Sequence, residues 1–348
     1  MIFVLLIFVL FCFITANYKN PFSKEYQTDF LSRESTSMIN GIFVFLVFLA
    51  HFSQYIDDWW KYDSLFTKFF NLLGECVVCS FLFYSGYGMM EQIKRDKNLY
   101  LHKLMIKRLP SLWMKFSICV LLYVILAFIK KTDLIVGKVV LSFFGLSSVG
   151  NSAWYIFYML FAYIAIYLSF RFIKNSKISL AILFLIFIIY TGIIYHVKFD
   201  SPAYYLVSFV LPFGILFSIF KEKFLVIFEN HYIVAFLLSI LLYVFTFIGR
   251  HYLRLGGWSY SFTAIAFTVV LILFTFKVQF KNKIIQYLGK HIFEIFILQR
   301  IPMIALKPLY ILWGEVQPYS YLIYFMLCLG CTLILTYIMQ LFFKIIKL

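Results

Sequence analysis

Eleven apolar runs of 16 to 23 residues follow one another through this chain, and no hydrophilic stretch between them is long enough to fold alone. A helix of about 20 residues spans the roughly 30 Å hydrocarbon core of a bilayer. Lipid offers no partner for free backbone amides, so a chain of such runs must fold as a bundle of helices. The runs are Met1–Ala16, Met38–Tyr55, Phe69–Met90, Ser111–Ile129, Ala153–Phe170 and Ile178–Tyr195, then Ala203–Phe220, Tyr232–Gly249, Ser259–Phe276, Ile284–Ala305 and Tyr319–Leu341. The expected fold class is all-α: a polytopic integral membrane bundle of about eleven transmembrane helices, ten in a core and one N-terminal. Hydrophobic residues make up 64% of the chain and charged ones 13%, ordinary for such a protein and extreme for a soluble one. The first run ends in ITAN, like a signal-peptide cleavage site, but no basic stretch precedes it. It reads as an extra membrane helix, so residues 1–30 are taken as helix plus linker and 31–348 as the main membrane domain. Asp133–Ser147 is too short to span comfortably and reads as an interfacial or re-entrant segment.

The net charge of +16 sits in short loops between the runs, where topology and anionic lipid explain it better than nucleic acid. Of 31 Lys and Arg, 20 fall in one set of alternate loops and nine in the other. By the positive-inside rule the richer set is cytoplasmic, with the N-terminus outside and the C-terminus inside the cytoplasmic membrane. Cys76 and Cys79 form CVVC, and Cys328 and Cys331 form CLGC. Both pairs lie inside apolar runs, where Cys is ordinarily a small hydrophobe, and no His or acid accompanies them at zinc spacing. No metal is expected.

The second run carries a single ionisable side chain near its middle depth. In Met38–Tyr55, MINGIFVFLVFLAHFSQY, His51 lies ten residues beyond Gly41, about 15 Å along a helix and near the bilayer midplane. An imidazole there needs a polar partner or a wet cavity, which makes it a functional candidate, with helix-to-helix glue as the plain alternative. His102, His196, His231, His251 and His291 all fall in loops or at run ends.

Other stretches speak more softly. FLFYSGYGMM places Ser85, Gly86, Tyr87 and Gly88 at the inner end of a run, where tight helix packing explains the small residues as well as a site does. Lys94–Arg108 holds six basic residues and one acid. Such a cluster suits the phosphates of a soluble anionic cosubstrate, or else simply topology and lipid. Arg108 stands against the next run, in KRLPSLW, from which its guanidinium can reach a cavity mouth. Trp154 and Tyr155 open a run on the outer side, as an aromatic belt would. LGKHIFEIFILQRIP sets His291 and Glu294 at an inner end and Gln299 and Arg300 within a span, costly groups that need partners from other helices.

Taken together, MINGIFVFLVFLAH, FLFYSGYG with its basic loop and KRLPSLW, AWYIFY, and LGKHIFEIFILQ resemble the acyltransferase-3 family of integral membrane acyltransferases, from about Ser32 to the C-terminus. The resemblance implies transfer of an acyl group, typically acetyl, from cytosolic acyl-CoA to a hydroxyl of a carbohydrate, glycolipid or surface glycan. Acetyl-CoA or another acyl-CoA is then the cosubstrate, with no metal and no nucleic-acid partner. It maps the family's essential His onto His51, as general base or transient acyl carrier. It maps the family's earlier basic residue onto Asn40, and its paired arginines onto Arg108 and Ser111. Lys103 and Lys107 then stand in for the missing charge, with Ser85 and Tyr87 near the donor and Asn40, Trp154 and Glu294 as supporting residues. The family's late His is Gln299 here, which inherits no role. The competing class is a transporter or flippase of a glycan or lipid intermediate; no inverted repeat supports it.

Overall fold

The computed structural model describes residues 1–56, 63–252, 257–314 and 320–348, and of 251, 252, 257–259, 313 and 314 the backbone alone. Lys61 and Arg254, counted above on the less basic side, lie outside the described residues. The chain opens with α1 (Ile2–Ile14), strand β1 (Ala16–Tyr18) and α2 (Arg33–Ser53). Next come α3 (Ser64–Leu73), a 3-10 turn at Gly74–Val78, α4 (Cys79–Arg95), α5 (Lys97–Lys103) and a π turn at Leu104–Arg108. α6 (Leu109–Ile129), the short α7 (Val136–Ser142), α8 (Trp154–Arg171) and α9 (Ser176–Val197) follow. α10 (Val210–Ile219), α11 (Lys221–Tyr252, kinked at His231) and α12 (Gly257–Lys277) lead to strand β2 (Val278–Phe280). The last elements are α13 (Lys283–Lys290), α14 (Ile292–Leu298), α15 (Arg300–Gly314) and α16 (Ser320–Ile345).

The protein is an all-α polytopic membrane protein. Among the described residues, nine helical stretches are long and apolar enough to cross a bilayer, each matching one of the expected runs. The other two runs form shorter helices: α1 has 13 residues and α10 has ten. Before α10, residues 205–209 form turns rather than helix, yet every one of them is buried. Irregular backbone is tolerable at membrane depth when protein rather than lipid surrounds it, and here hydrogen bonds supply the partners. Tyr158 donates to the Ser208 carbonyl at 2.6 Å and Tyr190 to that of Tyr204 at 2.9 Å.

Helices are started by side-chain caps on the basic face. Ser32 accepts from Ser35 N, Asp96 from Leu99 N, Asn175 from Lys177 N and Asn282 from Ile284 N, opening α2, α5, α9 and α13. On that face β1 pairs antiparallel with β2, Ala16 opposite Phe280, and Lys277 ties down the following segment through the carbonyls of Ser23 and Glu25. At the other end of α1 the Met1 ammonium sits 2.9 Å from Asp63. Partial burial works against the Asp63 carboxylate, but the hydrogen bonds from Ile2 N and Met1 hold it below its ordinary range.

The expected run Ile284–Ala305 is not one helix. His291 breaks it with non-helical backbone (φ −118°, ψ 31°), leaving amphipathic α13 to lie against the first half of α2. Glycines permit that approach: a Cβ on Gly289 would overlap the Ser37 carbonyl, and one on Gly41 that of Ile285. α4 and α10 meet in the same way, through Gly86 against Leu211 and Gly214 against Phe83. Tight packing therefore accounts for Gly86 of the SGYG stretch, whereas Gly88 faces open space.

Candidate active site

α2 starts five residues before the expected run and stops at Ser53, so His51 lies in its last turn. There it meets a cavity of about 770 Å³, within the roughly 300–1,000 Å³ range of small-molecule sites. The cavity lies on the side opposite the capped, basic face. Its walls come from the end of α2, the α3–α4 bend, the segment before α8, residues 198–204 and Phe296 with Arg300. Gly74 makes the bend possible with a positive φ of 48°, and the adjacent Glu75 N donates to the Tyr260 hydroxyl at 2.6 Å. Arg300 stands near the middle of the 21-residue span Ile292–Leu312, so the cavity penetrates about halfway along that helix.

His51 Nε2 lies 3.4 Å from Ser152 Oγ, and His51 Nδ1 is buried without a partner among the described residues. The Phe296 ring packs 6.0 Å from the imidazole, and Tyr155 packs 5.2 Å beyond it. Arg300 Nη2 donates to Gln54 Oε1 at 2.5 Å, while the Tyr55 hydroxyl also bonds the guanidinium. Asn151 is held by its Oδ1, which accepts from Val149 N at 3.2 Å; its buried Nδ2 has no partner among the described residues. The rest of the lining is rich in hydroxyls and amides, with Ser147, Ser148, Asn71 and Gln54, and carries Trp154, Glu75 and Lys198. Tyr204 donates to the Gly145 carbonyl at 2.6 Å. Such a set can fix a polyhydroxylated ligand and can accept a proton from it.

Of the residues singled out in the sequence, His51, Trp154 and Arg300 line this cavity and the others do not. Asn40 lies three turns down α2, half-buried, its Oδ1 without a partner among the described residues. Ser85 bonds the hydroxyl of Tyr155, which joins it to Phe296 and hence to His51. Tyr87 packs in the α4–α10 core against Phe217. Lys103, Lys107 and Arg108 are exposed at the basic face, Arg108 donating to the Tyr100 hydroxyl at 3.0 Å. Glu294 is half-buried one turn after His291, whose imidazole burial holds below its ordinary range. Among the described residues no cluster of His, Cys, Asp and Glu is set to hold a metal. Sequence reasoning missed Ser152, Asn151 and Gln54, whose types are common in loops. Arg300 stood out there only as a group in need of a partner.

With this geometry the comparison with known families is specific. Residues 38–341 match the model of the acyltransferase-3 family, described as an acyltransferase domain. The chain belongs to the acyltransferase-3 family. No curated protein and no solved structure gives a match. A membrane acyltransferase needs an acyl donor, an acceptor and a bilayer.

Proposed function

We propose that this acyltransferase moves an acetyl or similar acyl group from cytosolic acyl-CoA to a hydroxyl of a carbohydrate, with His51 taking the hydroxyl proton. The single observation that carries this reading is the imidazole at the floor of a hydroxyl-lined cavity, held only loosely by Ser152. An alkoxide is costly in a low-dielectric site, and a base within hydrogen-bond reach avoids building one. The proton leaves the acceptor oxygen as that oxygen attacks the thioester carbon. The imidazolium then returns it to the departing thiolate.

The donor's route follows the interior of α8. Arg108, at the basic face, interacts electrostatically with half-buried Tyr163. Tyr155, eight residues earlier on the same helix and so about 12 Å away, touches Phe296 beside His51. CoA phosphates on Arg108, Lys103 and Lys107 would point the thioester up this line, with Ser85 beside it. The acceptor enters the cavity from the opposite face. The site belongs in the cytoplasmic membrane, with the N-terminus outside and the C-terminus inside.

Two measurements bear on the route. Arg108→Ala should weaken CoA binding by roughly tenfold to a hundredfold, the value of a charge-assisted phosphate contact, as read by calorimetry on purified protein. Unchanged affinity would return Arg108 to a topology signal. Single cysteines placed between residues 94 and 108 should resist an impermeant thiol reagent in intact cells and react after permeabilisation. Labelling from outside would overturn the donor route.

A further inference from the structure

Arg300 is the strongest feature that the proposed chemistry leaves unused. A guanidinium near the middle of a membrane span is expensive unless it is paired or hydrated, and none of the carboxylates among the described residues makes an ion pair with it. It is nevertheless held in place. Gln54 Oε1 takes Nη2 at 2.5 Å, and the Tyr55 hydroxyl bonds the same fork. Its Nε is buried and has no partner among the described residues. Arg300 also lines the cavity that His51 floors, and Phe296, one turn earlier, packs on the imidazole. A fixed cation, one donor unspent, therefore adjoins the proposed base.

We propose that Arg300 is the oxyanion donor of the transfer, its guanidinium facing the carbonyl oxygen of the acyl group. This rests on the reading of His51 as base at the same cavity. As the acceptor oxygen bonds to the carbonyl carbon, its proton passes to His51 and the carbonyl π pair moves onto oxygen. That oxygen carries the negative charge of the tetrahedral intermediate, and Arg300 faces it. When the C–S bond breaks, the pair returns to the carbonyl, the sulfur leaves with its electrons, and His51 gives it the proton. Ester and free thiol result, with no atom or electron unaccounted for. A donor held by Gln54 and Tyr55 before the reaction needs no reorganisation when the charge develops, which is where such groups have their largest effect. Asn40, uncharged where the family has a basic residue, cannot serve this purpose from three turns away.

The test is steady-state kinetics of acyl transfer by the purified full-length protein in lipid nanodiscs, with acetyl-CoA as donor. Arg300→Gln should lower kcat by about 10²–10³-fold while KM for donor and acceptor stays within about threefold. Gln54→Ala, a change at an exposed position, leaves the charge but frees the fork, and should lower kcat by about tenfold, again with little change in KM. A raised KM at normal kcat would make Arg300 a binding residue and overturn the proposal. So would normal kinetics in both variants. If Arg300→Gln does not fold, Gln54→Ala decides: an unchanged kcat rejects the role. His51→Gln run alongside separates the two readings, because its retained activity would sink the base while leaving the Arg300 result to stand or fall alone.

Discussion

His51→Gln should lower acyl transfer by about 10²–10⁴-fold, the contribution typical of a positioned general base. Glutamine keeps the length and a hydrogen-bonding amide, so it can hold Ser152 Oγ across the present 3.4 Å contact. It cannot accept a proton at neutral pH. His51→Ala should be equally inactive, yet inserted and monodisperse, since losing a polar group from a membrane helix seldom blocks insertion. A histidine that merely joins α2 to the segment before α8 would be rescued by Gln. Near-normal turnover of His51→Gln would therefore remove the base from the mechanism.

The second large effect is on folding. Gly289→Leu should destabilise the protein by about 1–3 kcal/mol or abolish its folding, because the new side chain begins inside the Ser37 carbonyl. Backbone is on both sides of this contact, so no rotamer change relieves the overlap. The consequence reaches the site through α2, whose first half rests on α13 and whose last turn holds His51. Gly88→Ala is the control: a Cβ there meets nothing within 4 Å. Thermal unfolding in detergent should show a lowered midpoint for the first variant and an unchanged one for the second. Equal midpoints would mean that the α2–α13 contact is looser than described.

Apolar length made most of the bundle legible. Nine of the eleven runs form spanning helices because uninterrupted hydrophobic residues leave the backbone no alternative in lipid. The run Ala203–Phe220 shows where that signal stops. Its residues are as apolar as any, but partners such as Tyr158 and Tyr190 accommodate irregular backbone inside the protein, and hydropathy does not separate lipid from protein surroundings. Ile284–Ala305 spans only from Ile292 onward, for a related reason. The break at His291 suits the docking of α13 on α2, a contact between segments some 250 residues apart that no local pattern encodes.

The site was legible in kind and incomplete in detail. A lone imidazole in a membrane run announces that it needs a polar neighbour, and Arg300 announces the same need from another run. Neither says that the two share a cavity. That follows from the packing of Phe296 on His51 and from Gln54 gripping Arg300 across the end of α2. Asn151 and Ser152 carry no signal at all until the start of α8 is placed beside them.

The central claim is that acyl groups pass from a thioester to a hydroxyl at His51. Membranes containing the protein, and membranes containing His51→Gln at equal abundance, can be given radiolabelled acetyl-CoA and extracted for glycan and lipid fractions. The account predicts label in an ester released by mild base, with matching free thiol, from the unaltered protein only. Equal ester label in both membranes, or no label from any acyl-CoA together with movement of a glycan across the bilayer, would contradict it.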